Sequence, residues 1–452
     1  MRVDGRAHGG PGWRLWAELF VIVAVVATVT MVYNYTPGAS TWDSAVYLGN
    51  AASFAGMQWL YDEIRPPLYP LLLSIPMRVF GMAELPLLIV DIAVRVLCVL
   101  ALYFFIRRFS DARCALPVVL IVVLNPIVKD LPVFMTEYLS LLFILVACHA
   151  LVRYVDARRP YLLWLASALM SLAFLARYTS LFIIVVAALF LAYHERRALL
   201  RGETLRAYCI GVLVFLAPIA VWCVWNYGVY DDFFFSIYRA YQHIQYDALR
   251  TSFATRMVIL GRTVGLLLAL ALPGLWRVDE KGARIDRLFM IWLGVYVVSM
   301  VLVRHFTARY LFFLLPPLAY FAWRNASMAM RWAVAACVVV LFLLPLPRED
   351  NDVQGIVPPQ GIEMLAGTII VGDPSPQVAL MARTKTYGLC EASCDYLRCP
   401  VCPWSFYASS GCETPTYFVT THGRPFNVSM RSCLGEPQRI GELDIYPITT
   451  TS

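Results

Sequence analysis

Long apolar runs separated by short polar breaks fill the first three quarters of the chain. Eleven of them lie near residues 16–34, 86–106, 114–130, 132–152, 160–176, 179–193, 207–226, 256–276, 287–303, 308–323 and 332–346. A spanning helix needs ~20 mostly apolar residues. The pattern therefore predicts an all-α polytopic membrane domain of about 11 transmembrane helices over residues 1–346. The first run is followed by polar sequence with no small-residue cleavage site, so it is expected to stay as an anchor rather than leave as a signal peptide.

After Pro345 the pattern changes. Residues 347–452 are polar and rich in turn residues, with short β-like runs at 368–373, 416–421 and 443–448 and a helical pattern at 377–384. They read as a small α/β domain.

Composition sharpens the class. The 452 residues are 60% hydrophobic and 15% charged, with a mean hydropathy of +0.66. Soluble domains carry about 25% charged residues, and disordered chains are poor in apolar ones, so both classes are excluded. The net charge of +7 is spread in small Arg groups between apolar runs, with no continuous basic patch, which leaves no case for nucleic acid.

Those Arg groups set the expected sidedness. Arg2, Arg6 and Arg14, then Arg107/Arg108/Arg113, Arg153/Arg158/Arg159, Arg196/Arg197/Arg201/Arg206, Arg277/Lys281/Arg284/Arg287 and Arg324/Arg331 occupy alternate loops. Basic residues collect on the cytoplasmic side. The N-terminus is thus expected in the cytoplasm and residues 347–452 outside it, in a multi-pass plasma-membrane protein. Residues 68–82 are apolar but broken by Pro70 and Pro76, and a span there would reverse every later Arg group. They are read as an interfacial amphipathic piece, which makes 35–85 one long external loop.

Twelve cysteines divide evenly. Cys98, Cys114, Cys148, Cys209, Cys223 and Cys337 lie in spans or at their cytoplasmic edges and read as small apolar core residues. Cys390, Cys394, Cys399, Cys402, Cys412 and Cys433 crowd the external tail, where disulfides are expected. The rival reading is a zinc knuckle, from the ligand spacing of Cys399-Pro-Val-Cys402. Asn427-Val-Ser429 is a glycosylation sequon on the same side.

Ionisable residues gather at the external ends of the runs. Asp43, Tyr47 and Asn50 share a face if that stretch is helical. The same loop continues through Tyr61-Asp-Glu-Ile-Arg65 to Pro66-Pro67-Leu-Tyr69. Thr136-Glu137-Tyr138 heads one span, Arg177-Tyr178 closes another, and Arg304-His305 with Arg309-Tyr310 precede Pro316-Pro317. Carboxylates can take a proton from a hydroxyl, and Arg forks bind phosphate oxygens. Together they suit a phosphate-bearing lipid whose head group reacts with a hydroxyl or amine. Plainer readings stand beside this one. Asp43 fits a solvated loop acid or an N-cap with Thr41, Arg177 and Arg309 fit interface anchors, Asp91 and Arg95 (i,i+4) a structural ion pair, and His243 a surface histidine.

The ordered set of these motifs resembles the GT-C membrane glycosyltransferases, in the branch of the protein O-mannosyltransferases and lipid A aminoarabinose transferase. It comprises Asp43-Ser-Ala-Val-Tyr47, Arg65-Pro-Pro-Leu-Tyr-Pro-Leu-Leu-Leu73, Phe104-Phe-Ile-Arg-Arg-Phe109, Thr136-Glu-Tyr-Leu-Ser-Leu-Leu-Phe143, Leu175-Ala-Arg-Tyr-Thr-Ser-Leu-Phe182 and Arg309-Tyr-Leu-Phe-Phe-Leu-Leu-Pro-Pro317. The resemblance implies an inverting transferase that moves a sugar from a polyprenyl- or dolichyl-phosphate donor to a glycan, lipid or protein acceptor on the external face. It implies that Asp43 and Glu137 are catalytic, and that Tyr47, Arg65, Tyr69, Arg177, Tyr178, Arg304 and Arg309 bind substrate. Some relatives hold a divalent metal between a carboxylate just before the Pro-Pro pair and a later histidine. Here Ile64 stands at that carboxylate position and Glu63 one residue earlier, so a metal between Glu63 and His243 is optional and no cofactor is required. Transporters or flippases, and ligases of lipid-linked glycans, are the alternatives. Transporters favour internal repeats and midplane sites, and neither is seen in this sequence.

Overall fold

The computed structural model describes residues 12–35, 42–57, 64–196, 202–244, 251–275, 283–302, 306–324 and 327–343, and five short strands between 369 and 447. The described residues up to 343 are almost wholly helical. Among the described residues, six helical segments are long and apolar enough to cross a membrane: Trp13–Asn34, Glu84–Phe109, Glu137–Ala157, Tyr178–Glu195, Gly202–Tyr230 and Phe253–Leu275. The other five runs take different forms. Asn125 splits 114–130, because its side chain accepts from the Ile127 N–H at 3.0 Å and caps a separate short helix, Pro126–Lys129. The run at 308–323 is a 3₁₀ helix, Ala308–Leu314, followed by Leu315–Arg324. Nearly every residue of that pair is buried, so its apolar character on all sides reflects burial in protein. The remaining runs lie on Pro160–Ala176, Ala283–Leu302 and Met328–Leu343.

Faces turned away from the core stay apolar. Phe20 is 73% exposed, Val221 71%, and Val301 72%, on three separate helices. Water does not tolerate such a surface at this scale, and lipid does. The molecule is a multi-pass membrane protein. Cys98, Cys114, Cys148 and Cys223 are buried free thiols, as small apolar residues should be. Cys209 departs from that reading, being exposed on the outer face of its helix. The six tail cysteines lie outside the described residues, as do the helix expected at 377–384 and the sequon.

Residues 68–82 form the helix Leu68–Phe80, with Tyr69, Leu73 and Met77 buried and Ile75, Val79 and Phe80 exposed. Arg78 ties its end to the Phe54 carbonyl at 2.7 Å, and so to the preceding helix, Trp42–Phe54.

In the tail the expected strands are present as β1 (Ile369–Val371), β3 (Tyr417–Thr421) and β5 (Leu443–Pro447), joined by the shorter β2 (Lys385–Thr386) and β4 (Gln438–Ile440). Their order is β2-β1-β3-β5-β4, with β1 parallel to both its neighbours and β5 antiparallel to both of its own.

Candidate active site

Asp43 sits in the first turn of the helix Trp42–Phe54, where the helix dipole favours a carboxylate. The next residue fixes the turn in place, since Ser44 Oγ donates to the Val133 carbonyl at 2.8 Å. Two guanidinium groups then close on the carboxylate. Arg65 Nη2 lies 2.6 Å from Oδ1, and Arg309 pairs with Oδ2. Burial alone would raise the Asp43 pKa. Arg309 and Arg65 reverse that and hold the group well below the usual carboxylate range. It is an ion under all physiological conditions.

A second pair lies behind the first. Glu137 heads its helix with no exposed surface, and Arg177 Nη1 donates to its Oε1 at 2.8 Å and to Thr136 Oγ1 at 3.1 Å. Arg177 Nε donates to Thr179 Oγ1 at 3.1 Å. Arg177 reaches this point because the helix Pro160–Ala176 ends at it: its backbone is extended (φ −157°, ψ 114°) before a 3₁₀ turn, Tyr178–Leu181. Glu137 Oε2 is buried without a hydrogen-bond partner among the described residues.

Tyr310 joins the two pairs. Its ring centroid lies 5.4 Å from the Arg177 guanidinium carbon and 5.9 Å from that of Arg309. Among the described residues, three guanidinium groups thus meet two carboxylates, one positive charge in excess. Asp43, Arg65 and Arg309 keep 12%, 15% and 29% of their side-chain surface, whereas Arg177 keeps 9% and Glu137 none. The cluster has an open side and a sealed side. An anion of single charge would balance it.

The tyrosines named from the sequence divide. Tyr47 is buried in contact with the site, with the Arg65 guanidinium 5.8 Å from its ring. Tyr178 is half-buried and accepts from Trp222 Nε1 at 3.1 Å. Tyr69, read as substrate-binding, has no exposed surface, and its hydroxyl donates to Asp91 Oδ1 at 2.5 Å. That hydroxyl is committed to the interior, and the ring stands edge-on behind Tyr47 at 6.1 Å.

Asp91 belongs to a buried scaffold that the sequence only half revealed. It pairs with Arg95 at 2.7 Å and accepts from the Phe134 N–H at 3.2 Å. Phe134 has a positive φ of 62°, a conformation costly for a bulky side chain, and the carboxylate pins it there just before Thr136 and Glu137. Arg95 continues to Asn34 Oδ1 at 3.0 Å and the Pro132 carbonyl at 2.5 Å. Asn34 closes the network on the carbonyls of Val128 and Lys129. Neither Asn34 nor Tyr310 is among the catalytic or substrate-binding residues expected from the sequence. Their only signals were a lone amide ending an apolar run and an aromatic following an Arg.

Glu63, Arg304 and the side chain of His243 lie outside the described residues. Among the described residues, no group of three or more His, Cys, Asp and Glu is placed to hold a metal ion. The cluster itself does not fit one, because both carboxylates are already paired with guanidinium groups that would repel a cation.

ArnT from Cupriavidus metallidurans bound to undecaprenyl phosphate is similar at a TM-score of 0.58 and 18% identity, over 74% of this chain and 64% of that one. The Archaeoglobus fulgidus oligosaccharyltransferase AglB, in complex with an inhibitory peptide and a dolichol-phosphate, gives 0.58 and 12% identity, over 90% and 69%. The chain has the GT-C fold. Apo ArnT is similar at 0.54 and 19% identity, over 69% of this chain and 59% of that one. The chain spans less than two thirds of the length of the ArnT structures it matches. Residues 64–225 match the family model for dolichyl-phosphate-mannose-protein mannosyltransferase. That segment holds Arg65, Tyr69, Glu137, Arg177 and Tyr178, while Asp43 and Arg309 lie outside it. No curated protein sequence matches the chain.

Proposed function

We propose that this protein is an inverting glycosyltransferase that takes a sugar from a polyprenyl- or dolichyl-phosphate donor and passes it to a hydroxyl or amine acceptor at the extracytoplasmic face. The observation that carries this reading is the open-sided cluster in which, among the described residues, three guanidinium groups meet two carboxylates. A phosphodiester carries one negative charge and would balance it. ArnT and AglB, which share the fold, are described with undecaprenyl phosphate and a dolichol-phosphate respectively, which supports the donor class.

The chemistry follows from the ion pairs. With two guanidinium groups on it, Asp43 is a weak base. A donor phosphate arriving on the open side competes for Arg309 and frees one carboxylate oxygen. The acceptor hydroxyl then attacks the anomeric carbon from the face opposite the phosphate. The new C–O bond forms as the bond from the anomeric carbon to the phosphate oxygen breaks. The acceptor proton passes to Asp43, and the leaving phosphate keeps the bonding electron pair, its growing charge held by Arg309 and Arg177. Glu137 holds Arg177 in place and sets the charge balance.

The remaining assignments belong to the same reading. Residues 1–346 form the catalytic membrane domain, with about 11 spans, a cytoplasmic N-terminus and the loop 35–85 outside. The cysteine-rich tail, 347–452, shapes acceptor access.

The test is incubation of the purified protein with candidate polyprenyl-phosphate sugars and an acceptor extract, with chromatography for released lipid phosphate. Release that depends on Asp43 supports the transferase. A flippase would move lipid-linked sugar between vesicle leaflets and release nothing. Transfer of a whole glycan in place of one sugar would make it a ligase.

A further inference from the structure

We infer that Tyr310 is a positioning residue whose ring face binds Arg177 and Arg309 together and so makes them a two-point clamp for one phosphate. The inference rests on the lipid-phosphate donor proposed above. Two guanidinium groups that serve one anion must be close, yet their like charges push them apart. Each carboxylate makes its ion pair with a different one: Glu137 holds Arg177, and Asp43 holds Arg309. What they share is the ring of Tyr310, with one guanidinium carbon 5.4 Å and the other 5.9 Å from its centroid. The negative face of an aromatic ring attracts cations at this range, most strongly where water is excluded. Tyr310 is 7% exposed.

The ring is itself anchored. Tyr296 donates to the Tyr310 carbonyl at 2.5 Å, the Tyr310 N–H donates to the Thr307 carbonyl at 3.1 Å, and Phe306 meets the ring edge-on at 6.4 Å. Arg309 and Tyr310 are neighbours in a 3₁₀ helix, whose threefold turn sends successive side chains about 120° apart. The Arg309 guanidinium nevertheless lies near its neighbour's ring, so the contact comes from the folding of the Arg309 side chain and not from the backbone. When a phosphate draws Arg309 away from Asp43, the ring keeps that guanidinium beside Arg177.

The test replaces Tyr310 with phenylalanine and then with phenylalanines bearing one, two and three fluorines, which keep the shape and weaken the ring's negative face. Undecaprenyl phosphate in nanodiscs is the probe, titrated against the full chain. Tyr310→Phe should bind within about twofold of the native protein, and the trifluoro ring about tenfold more weakly, with a graded fall between. Tyr310→Met, checked for an unchanged unfolding temperature, should match the trifluoro form. Equal binding across the fluorinated series would overturn the inference, leaving Tyr310 as packing. Loss in Tyr310→Phe as large as in the trifluoro form would also overturn it, by assigning the effect to the hydroxyl. A native protein that binds no undecaprenyl phosphate would overturn the donor proposal as well, and so is distinguishable from either result.

Discussion

Asp43 and Arg309 stand 266 positions apart in the chain and meet as an ion pair. One opens the first helix after the N-terminal span, and the other lies in the 3₁₀ turn that leads into the last buried segment. The pair makes the site depend on both ends of the membrane domain being folded.

Asp43→Asn should therefore separate chemistry from folding. The amide keeps the shape, but its single oxygen can accept from only one of Arg65 and Arg309, and it takes no proton. Lipid-phosphate release should fall about 10²- to 10⁴-fold. Binding of the lipid phosphate should persist or tighten, because the cluster gains a positive charge. Wild-type rates in this variant would remove Asp43 from the reaction.

The same carboxylate sets a pH signature. Its folded pKa lies below the ordinary value of 3.8, so its ion pairs stabilise the protein above that value. The contribution is lost as pH falls toward the folded pKa, since the unfolded chain takes up the proton first. Unfolding temperatures of native protein and Asp43→Asn in detergent should differ by a constant amount between pH 5 and pH 7. The gap should narrow below about pH 4. A gap that widened on acidification would reverse the sign and remove the depressed carboxylate.

Much of this arrangement could be read from residue order. Arg177 and Glu137 interrupt apolar stretches, and an ionisable group there is costly enough to need a partner. Which partner each would choose was not legible. Asp43 has Arg65 within one loop's reach, but Arg309 is brought to it only by the packing of the later helices. Whether an apolar run meets protein or lipid was not legible either. The run at 308–323 is as apolar as a lipid-facing helix, and nothing in its composition separates burial in protein from burial in lipid. Tyr69 shows the same blindness at one residue. It follows the Pro66-Pro67 pair in the motif that carries the resemblance, yet its hydroxyl faces inward to Asp91.

Glu137→Gln tests the charge balance. The Gln side-chain oxygen can still accept from Arg177, while the cluster moves from one net positive charge to two. A lipid monophosphate, as product, should then bind several-fold more tightly and leave more slowly. Turnover should drop while the donor KM falls or holds. Titration with undecaprenyl phosphate and steady-state kinetics read the two effects separately. Weaker product binding would mean that Glu137 contributes through geometry alone.

The buried pair of Asp91 and Arg95 should behave as scaffold. Removing one partner strands a charge with almost no exposed surface, which costs about 3–5 kcal/mol. Arg95→Met should lower the unfolding temperature sharply, even though the Phe134 N–H keeps its bond to Asp91. Replacing both residues with apolar ones should recover part of the loss, because no lone charge remains. Recovery no better than Arg95→Met alone would mean that the Phe134 and Asn34 contacts matter more than the charge.

Tyr69→Phe distinguishes support from substrate contact. The variant removes only a hydroxyl that donates to Asp91 at 2.5 Å in a fully buried place. Losing it leaves one carboxylate oxygen with a single remaining donor, the Phe134 N–H. The expected cost is about 1–3 kcal/mol of stability. The ring stays behind Tyr47, so the KM for donor should hold within about twofold, since no ligand-facing group has changed. A donor KM raised tenfold with stability intact would return Tyr69 to the substrate-binding surface. The buried bond to Asp91 makes the first outcome the expected one, and thermal unfolding beside donor titration decides it.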